Sequence, residues 1–166
     1  MRIAMLHVVG IDSHVLDCLA AAFRRLGHAV RIWRVPGMDE SVKSPAAGAP
    51  SEVARWDRLV AAVRRFRPDF GFGLDTFPLL YEPPRHAGRA GSAPTPDSLG
   101  HLFDAVDVPL AVFWTHDPIR SLLGLDSSPP MGMSRSRVTH FVPDTRAAAI
   151  LRRLGLRARY LPLGTF

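Results

Sequence analysis

Six short apolar runs, separated by segments of helical period, govern what this chain can fold into. Ile3–Val9 (IAMLHVV), Val30–Val35 (VRIWRV), Phe70–Leu74 (FGFGL), Leu110–Trp114 (LAVFW), Thr139–Val142 (THFV) and Arg159–Leu161 read as strands. The first is almost continuously apolar, the pattern of a strand covered on both faces. After it, Val15, Leu16, Leu19, Ala22, Phe23 and Leu26 recur at helical spacing, with Ser13 as a cap before them and Gly27 as a stop behind. A second helical face, Val53, Trp56, Leu59, Val60, Val63 and Phe66, starts at Ser51–Glu52 and is stopped by Pro68. Asp97–Val106, Ile119–Leu123 and Thr145–Leu154 complete the expected helices, the last with Gly155 as its stop. Strands that alternate with helices must connect by crossovers, which place helices over a parallel sheet. The expected fold is therefore α/β, a Rossmann-like parallel sheet of about six strands with helices on both faces.

A chain of 166 residues, 47% hydrophobic, has the size of one domain with a real core. No apolar run approaches the roughly 20 residues that span a bilayer. Arg2–Val9 has neither the flanks nor the cleavage site of a secretory signal, so a soluble, cytoplasmic protein is expected. The lone cysteine, Cys18, excludes an internal disulfide and sits within an apolar helical pattern, which predicts a small buried filler. No Cys/His cluster has zinc spacing, so no metal site is expected.

The formal charge of +6 and a sequence pI near 10.9 favour anionic partners in general. Almost all of the positive charge is arginine, Lys43 being the only lysine. Arg24–Arg25, Arg64–Arg65 and Arg152–Arg153 fall near helix C-termini, where a cation suits the helix dipole. Aromatic residues are not interleaved with these basic positions, which argues against nucleic acid.

Open parallel sheets bind ligands beyond the carboxyl ends of their strands, near the point where the strand order reverses. That rule selects Gly10, Ile11, Asp12, Ser13 and His14 after the first strand, Asp75 after the third, Thr115, His116 and Asp117 after the fourth, Pro143 and Asp144 after the fifth, and Gly164 and Thr165 after the sixth. Gly10–His14 is not a dinucleotide fingerprint, and there is no P-loop lysine. The turn still presents helix N-terminal amides suited to an oxyanion or a hydroxyl-rich ligand. Asp12 and Ser13 serve equally well as plain caps. His14 in the first helical turn has the chemistry of a general base, and one of His116 and Asp117 would orient it across the sheet. The alternative for Asp117 is a cap on the turn begun by Pro118, and Asp144 reads as the N-cap of Thr145–Leu154. The Pro-rich stretch Asp75–Pro96 is long enough to suggest a functional loop.

Four stretches together resemble the N-terminal domain of GT-B glycosyltransferases. They are Arg2–Val9 with Leu16–Val35 (including Leu26-Gly27-His28), Phe66-Arg67-Pro68-Asp69-Phe70, Pro109–Pro118 (PLAVFWTHDP), and His140–Asp144 with Leu154-Gly155 and Tyr160–Gly164 (YLPLG). The similarity is greatest to the bacterial spore-maturation (CgeB-like) group-1 glycosyltransferases. It implies an acceptor-binding domain with no cofactor of its own. A nucleotide-sugar donor would be held on a second, C-terminal domain, supplied in cis or in trans. It further implies that His14 and Asp117 are catalytic. Gly10, Asp12, Ser13, Asp75, Thr115 and His116 would meet a hydroxyl-bearing acceptor. The chain by itself is expected to be inactive. A non-catalytic α/β binding or scaffold domain is the alternative.

Overall fold

In the computed structural model the apolar runs become one all-parallel sheet: β1 (Arg2–Val8), β2 (Ala29–Val35), β3 (Phe70–Leu74), β4 (Leu110–Phe113), β5 (Val138–Val142) and β6 (Ala158–Tyr160). The structure describes residues 1–8, 14–35, 52–75, 101–119 and 137–162. Within them lie the helices α1 (His14–Arg25), α2 (Glu52–Phe66), α3 (Leu102–Ala105) and α4 (Thr145–Arg153). The α/β expectation is met, with the strands ordered β2-β1-β3-β4-β5-β6.

That order follows from how the chain travels. It leaves β1 toward one edge, returns past it to β3, and then steps outward strand by strand. Right-handed crossovers place a helix on opposite faces for opposite directions of travel. Accordingly α1 covers one face and α2, α3 and α4 cover the other. β1 shows both sides of this arrangement in four consecutive residues. Ile3 and Met5 pack with Leu16 and Ala20 of α1. Ala4 and Leu6 belong to the cluster of Val60, Val63, Phe103 and Leu151 on the far face. A strand sandwiched in this way must be apolar at every position, which is why its run is continuous rather than alternating.

The helix stops are backbone chemistry. Gly27 and Gly155 both adopt φ +82°, the left-handed conformation that ends a helix at little steric cost. Asp69 fixes the start of the sheet: its carboxylate accepts from Arg2 N at 2.6 Å while its own N–H donates to Arg2 O at 2.8 Å.

Gly71 is needed for room instead. A Cβ built there would lie 2.4 Å from the Phe103 ring, and Phe103 is itself buried. Strand and helix touch without a side chain between them. Gly71→Ala should destabilise the fold by about 1–3 kcal/mol, the usual cost of overpacking a filled core. Urea denaturation would read the loss, and adding Phe103→Leu should recover part of it.

Two expectations are corrected within the described residues. The helix expected over Asp97–Val106 does not run through residue 101. His101 is extended there (φ −89°, ψ 174°), and its Nδ1 accepts from Asp104 N, so α3 starts at Leu102. Cys18 is exposed, not a buried filler. Leu16 and Ala20 take the sheet-facing side of α1, and Cys18, two residues from each, is carried round to solvent. The expected helix Ile119–Leu123 lies, beyond Ile119, outside the described residues, as do the loop stretches 37–50, 76–96 and 127–136. Among the described residues no helix is long and apolar enough to cross a membrane.

Candidate functional site

Because the six strands are parallel, their carboxyl ends share one rim. β3 ends at Leu74, and Asp75 follows in the left-handed region at φ +51°. Aspartate is among the few residues that enter this region at modest cost. The turn keeps Asp75 N–H on Phe113 O at 2.8 Å and aims the carboxylate at the end of β4. There Asp75 Oδ1 accepts from Thr115 N at 2.7 Å and Oδ2 from Thr115 Oγ1 at 2.7 Å. His116 Nδ1 lies 3.0 Å from Oδ1.

Asp75 is only 6% exposed, whereas the His116 side chain is 47% exposed. An ionised carboxylate can only accept, so the proton between them sits on His116 Nδ1. Nε2 is then left as the lone-pair acceptor of a half-exposed ring that lines a cleft. A buried carboxylate holding one nitrogen of a half-exposed histidine is the arrangement of an oriented base.

Trp114 supports this pair from below. It is fully buried, and its ring meets His116 edge to face, 5.8 Å between centroids and 83° between planes. Its Nε1–H donates to Nδ1 of the fully buried His140 on β5 at 3.1 Å.

In front of His116 opens a cleft of about 340 Å³. The turn after β4 forms one wall through Asp117, Pro118 and Ile119, and the start of α4 forms the other through Pro143, Arg146 and Ile150. Both walls are held by carboxylate caps. Asp117 Oδ1 accepts from Ile119 N at 2.9 Å. Asp144 Oδ1 accepts from Arg146 N at 2.5 Å and Ala147 N at 3.1 Å, the N-cap that the sequence predicted. Asp144→Ala should cost about 1 kcal/mol of stability through loss of that cap. Thermal unfolding would show it, and Asp144→Ser should restore most of it.

Three of the candidates read from sequence, Asp75, Thr115 and His116, therefore meet at one point. Asp117 borders the same cleft, engaged as a cap. Gly10, Ile11, Asp12, Ser13, Gly164 and Thr165 lie outside the described residues. His14 is the exposed first residue of α1, with Cys18 Sγ 3.7 Å from its Nε2. It follows β1, which is separated from β4 by β3, so the two strand ends stand roughly 10 Å apart on the shared rim. The carboxylate that orients a histidine here is Asp75, and the histidine is His116. β3 and β4 are adjacent, and a left-handed residue at the end of β3 reaches across one strand spacing.

Sequence reasoning placed Pro143 and Asp144 on this rim but missed Arg146 and Ile150 of the α4 wall, and it missed the Trp114–His140 pair. The second carried a signal: a histidine inside the apolar run Thr139–Val142, beside a strand that ends in tryptophan, calls for a buried partner. Among the described residues no group of three or more His, Cys, Asp or Glu side chains could hold a metal ion. No family model, curated protein or solved structure matches this chain.

Proposed function

We propose that the chain is the acceptor-binding part of a nucleotide-sugar-dependent glycosyltransferase, and that His116 takes the proton of the acceptor hydroxyl. The observation that carries this reading is the His116–Asp75 pair at the mouth of the cleft. The hydroxyl proton moves to Nε2 as the oxygen attacks the anomeric carbon of the donor. The bond from that carbon to the nucleotide phosphate breaks, and the nucleotide leaves with the electron pair. Asp75 keeps the Nδ1 proton and balances the charge of the imidazolium that forms. This is a single displacement, so the anomeric configuration inverts.

The donor comes from a companion domain, in cis or in trans. The test uses the protein together with that domain, a panel of nucleotide sugars, and hydroxyl-bearing acceptors. Acceptor-dependent release of nucleotide is expected, with a product of inverted configuration and no turnover by the chain alone. Nucleotide-sugar hydrolysis by the chain alone, or a retained configuration, would overturn the mechanism. Comparing His116→Gln with His14→Ala assigns the base, because the larger loss belongs to it. If both variants and Asp75→Asn leave transfer intact, the competing reading as a non-catalytic α/β binding domain gains.

A further inference from the structure

Crossovers between parallel strands send each helix back against the strand direction. The helix C-termini and the strand N-termini therefore share one rim, opposite the His116 cleft. The helices arrive there in arginine pairs: Arg24–Arg25 in α1, Arg64–Arg65 in α2 and Arg152–Arg153 in α4. Arg67 and Arg157 lie in the turns that follow, and all of these side chains are exposed. The first member of each pair is tied to backbone. Arg24 donates to Val30 O at 3.2 Å, Arg64 to Ala105 O at 2.7 Å and Arg152 to Ala158 O at 3.5 Å. Arg25, Arg65, Arg67, Arg153 and Arg157 make no hydrogen bond or ion pair with another described residue. The carboxylates near this rim are already engaged, Asp69 by Arg2 N, Asp104 beside His101 and Asp107 by Arg137. The rim thus carries positive charge that the described residues do not balance.

A cation in the last turn suits the helix dipole, which accounts for some of these arginines. The dipole gives no reason for the apolar side chains that stand among them. Leu26, Met1 and Leu154 are the most exposed large hydrophobic residues among those described, at 72%, 64% and 61%. All three are on this rim: Leu26 follows Arg25, Leu154 follows Arg153, and Met1 precedes Arg2 at the start of β1. β1 and β6 stand four strand spacings apart, so these side chains are spread over roughly 20 Å. A small ligand does not reach across that span, whereas a broad, flat partner does. Guanidinium groups that meet phosphates, set among aliphatic side chains that meet hydrocarbon, are the chemistry of a lipid surface. Nucleic acid would use the arginines but has no use for exposed leucines, and it stacks on aromatics that are not interleaved here.

We propose that this rim docks the chain on an anionic lipid bilayer. The arginines meet headgroup phosphates, and Leu26, Leu154 and Met1 enter the headgroup layer. The His116 cleft, at the other end of the strands, then faces away from the lipid. The inference stands apart from the transferase reading and uses none of its residues.

Co-sedimentation of the full chain with vesicles tests it. The probes are vesicles of equal parts phosphatidylcholine and phosphatidylglycerol, vesicles of phosphatidylcholine alone, and a short RNA duplex as a polyanion without lipid. The mixed vesicles should bind the chain about tenfold or more tighter than phosphatidylcholine does, and less so as salt is added. The triple variant Arg25→Gln, Arg65→Gln, Arg153→Gln should bind mixed vesicles roughly a hundredfold more weakly, the scale of three arginines near an anionic surface. The double variant Leu26→Ser, Leu154→Ser keeps the charge and should still lose about tenfold on vesicles, with RNA binding unchanged. Every substituted position is exposed, so circular dichroism should show both variants folded. Equal binding to the two kinds of vesicle would overturn the proposal, as would vesicle affinity untouched by the leucine variant. Tighter binding to the RNA duplex than to mixed vesicles would assign the rim to nucleic acid instead and overturn it too.

Discussion

On the proposed transferase reading, His116→Gln is expected to lower sugar transfer roughly a hundred- to ten-thousandfold, the usual contribution of a positioned general base. Glutamine retains hydrogen-bonding groups of similar reach but no proton-accepting nitrogen. The loss should fall on kcat, with the acceptor KM little changed, because the walls of the cleft remain. Asp75→Asn should lose a comparable amount through a different step. An amide in place of the carboxylate still offers its oxygen to Thr115 N and His116 Nδ1, but it carries no charge to balance the imidazolium. Since Asp75 also ties the ends of β3 and β4 together, thermal unfolding must accompany the kinetics. A His116→Gln variant that keeps its full kcat would remove the imidazole from the proposed chemistry.

The largest loss of stability is expected at Trp114. It is fully buried, its ring braces His116, and its indole N–H is bonded to a histidine that is also fully buried. Trp114→Ala removes the ring and strips His140 Nδ1 of its donor at once. The cavity alone should cost about 3–5 kcal/mol. That is a large share of the roughly 5–15 kcal/mol that holds a domain of this kind folded. Trp114→Phe separates the two effects. It keeps most of the volume and removes the donor, and should cost about 1–3 kcal/mol, the price of one unsatisfied buried acceptor. Denaturant titration of both variants measures the split. Equal losses would assign the whole effect to the hydrogen bond.

The strands could be read from sequence because a doubly covered strand has only one solution, continuous apolarity, and Ile3–Leu6 satisfy it on both faces. Gly27, Gly155 and Asp144 were legible for the same kind of reason: each solves a local backbone problem within a few residues of itself. The His116–Asp75 pair is not local. It depends on β3 and β4 being neighbours and on the left-handed turn of Asp75, and neither is written in spacing. The sequence brought both residues to the right rim but suggested His14 as the imidazole to be oriented. Cys18 was misjudged because an apolar helical pattern does not say which of its members turn outward. The face was settled by Leu16 and Ala20.

Of the three tryptophans in the chain, Trp33 meets Phe66 edge-on and Trp56, on α2, packs into the core. Trp114 alone touches both the cleft histidine and an inner one. Its indole proton, held on His140, sits in the ring-current field of both imidazoles. Any compound that tilts His116 should therefore move one sharp, well-separated NMR line, so the protein carries its own spectroscopic gauge of cleft occupancy and needs no attached label.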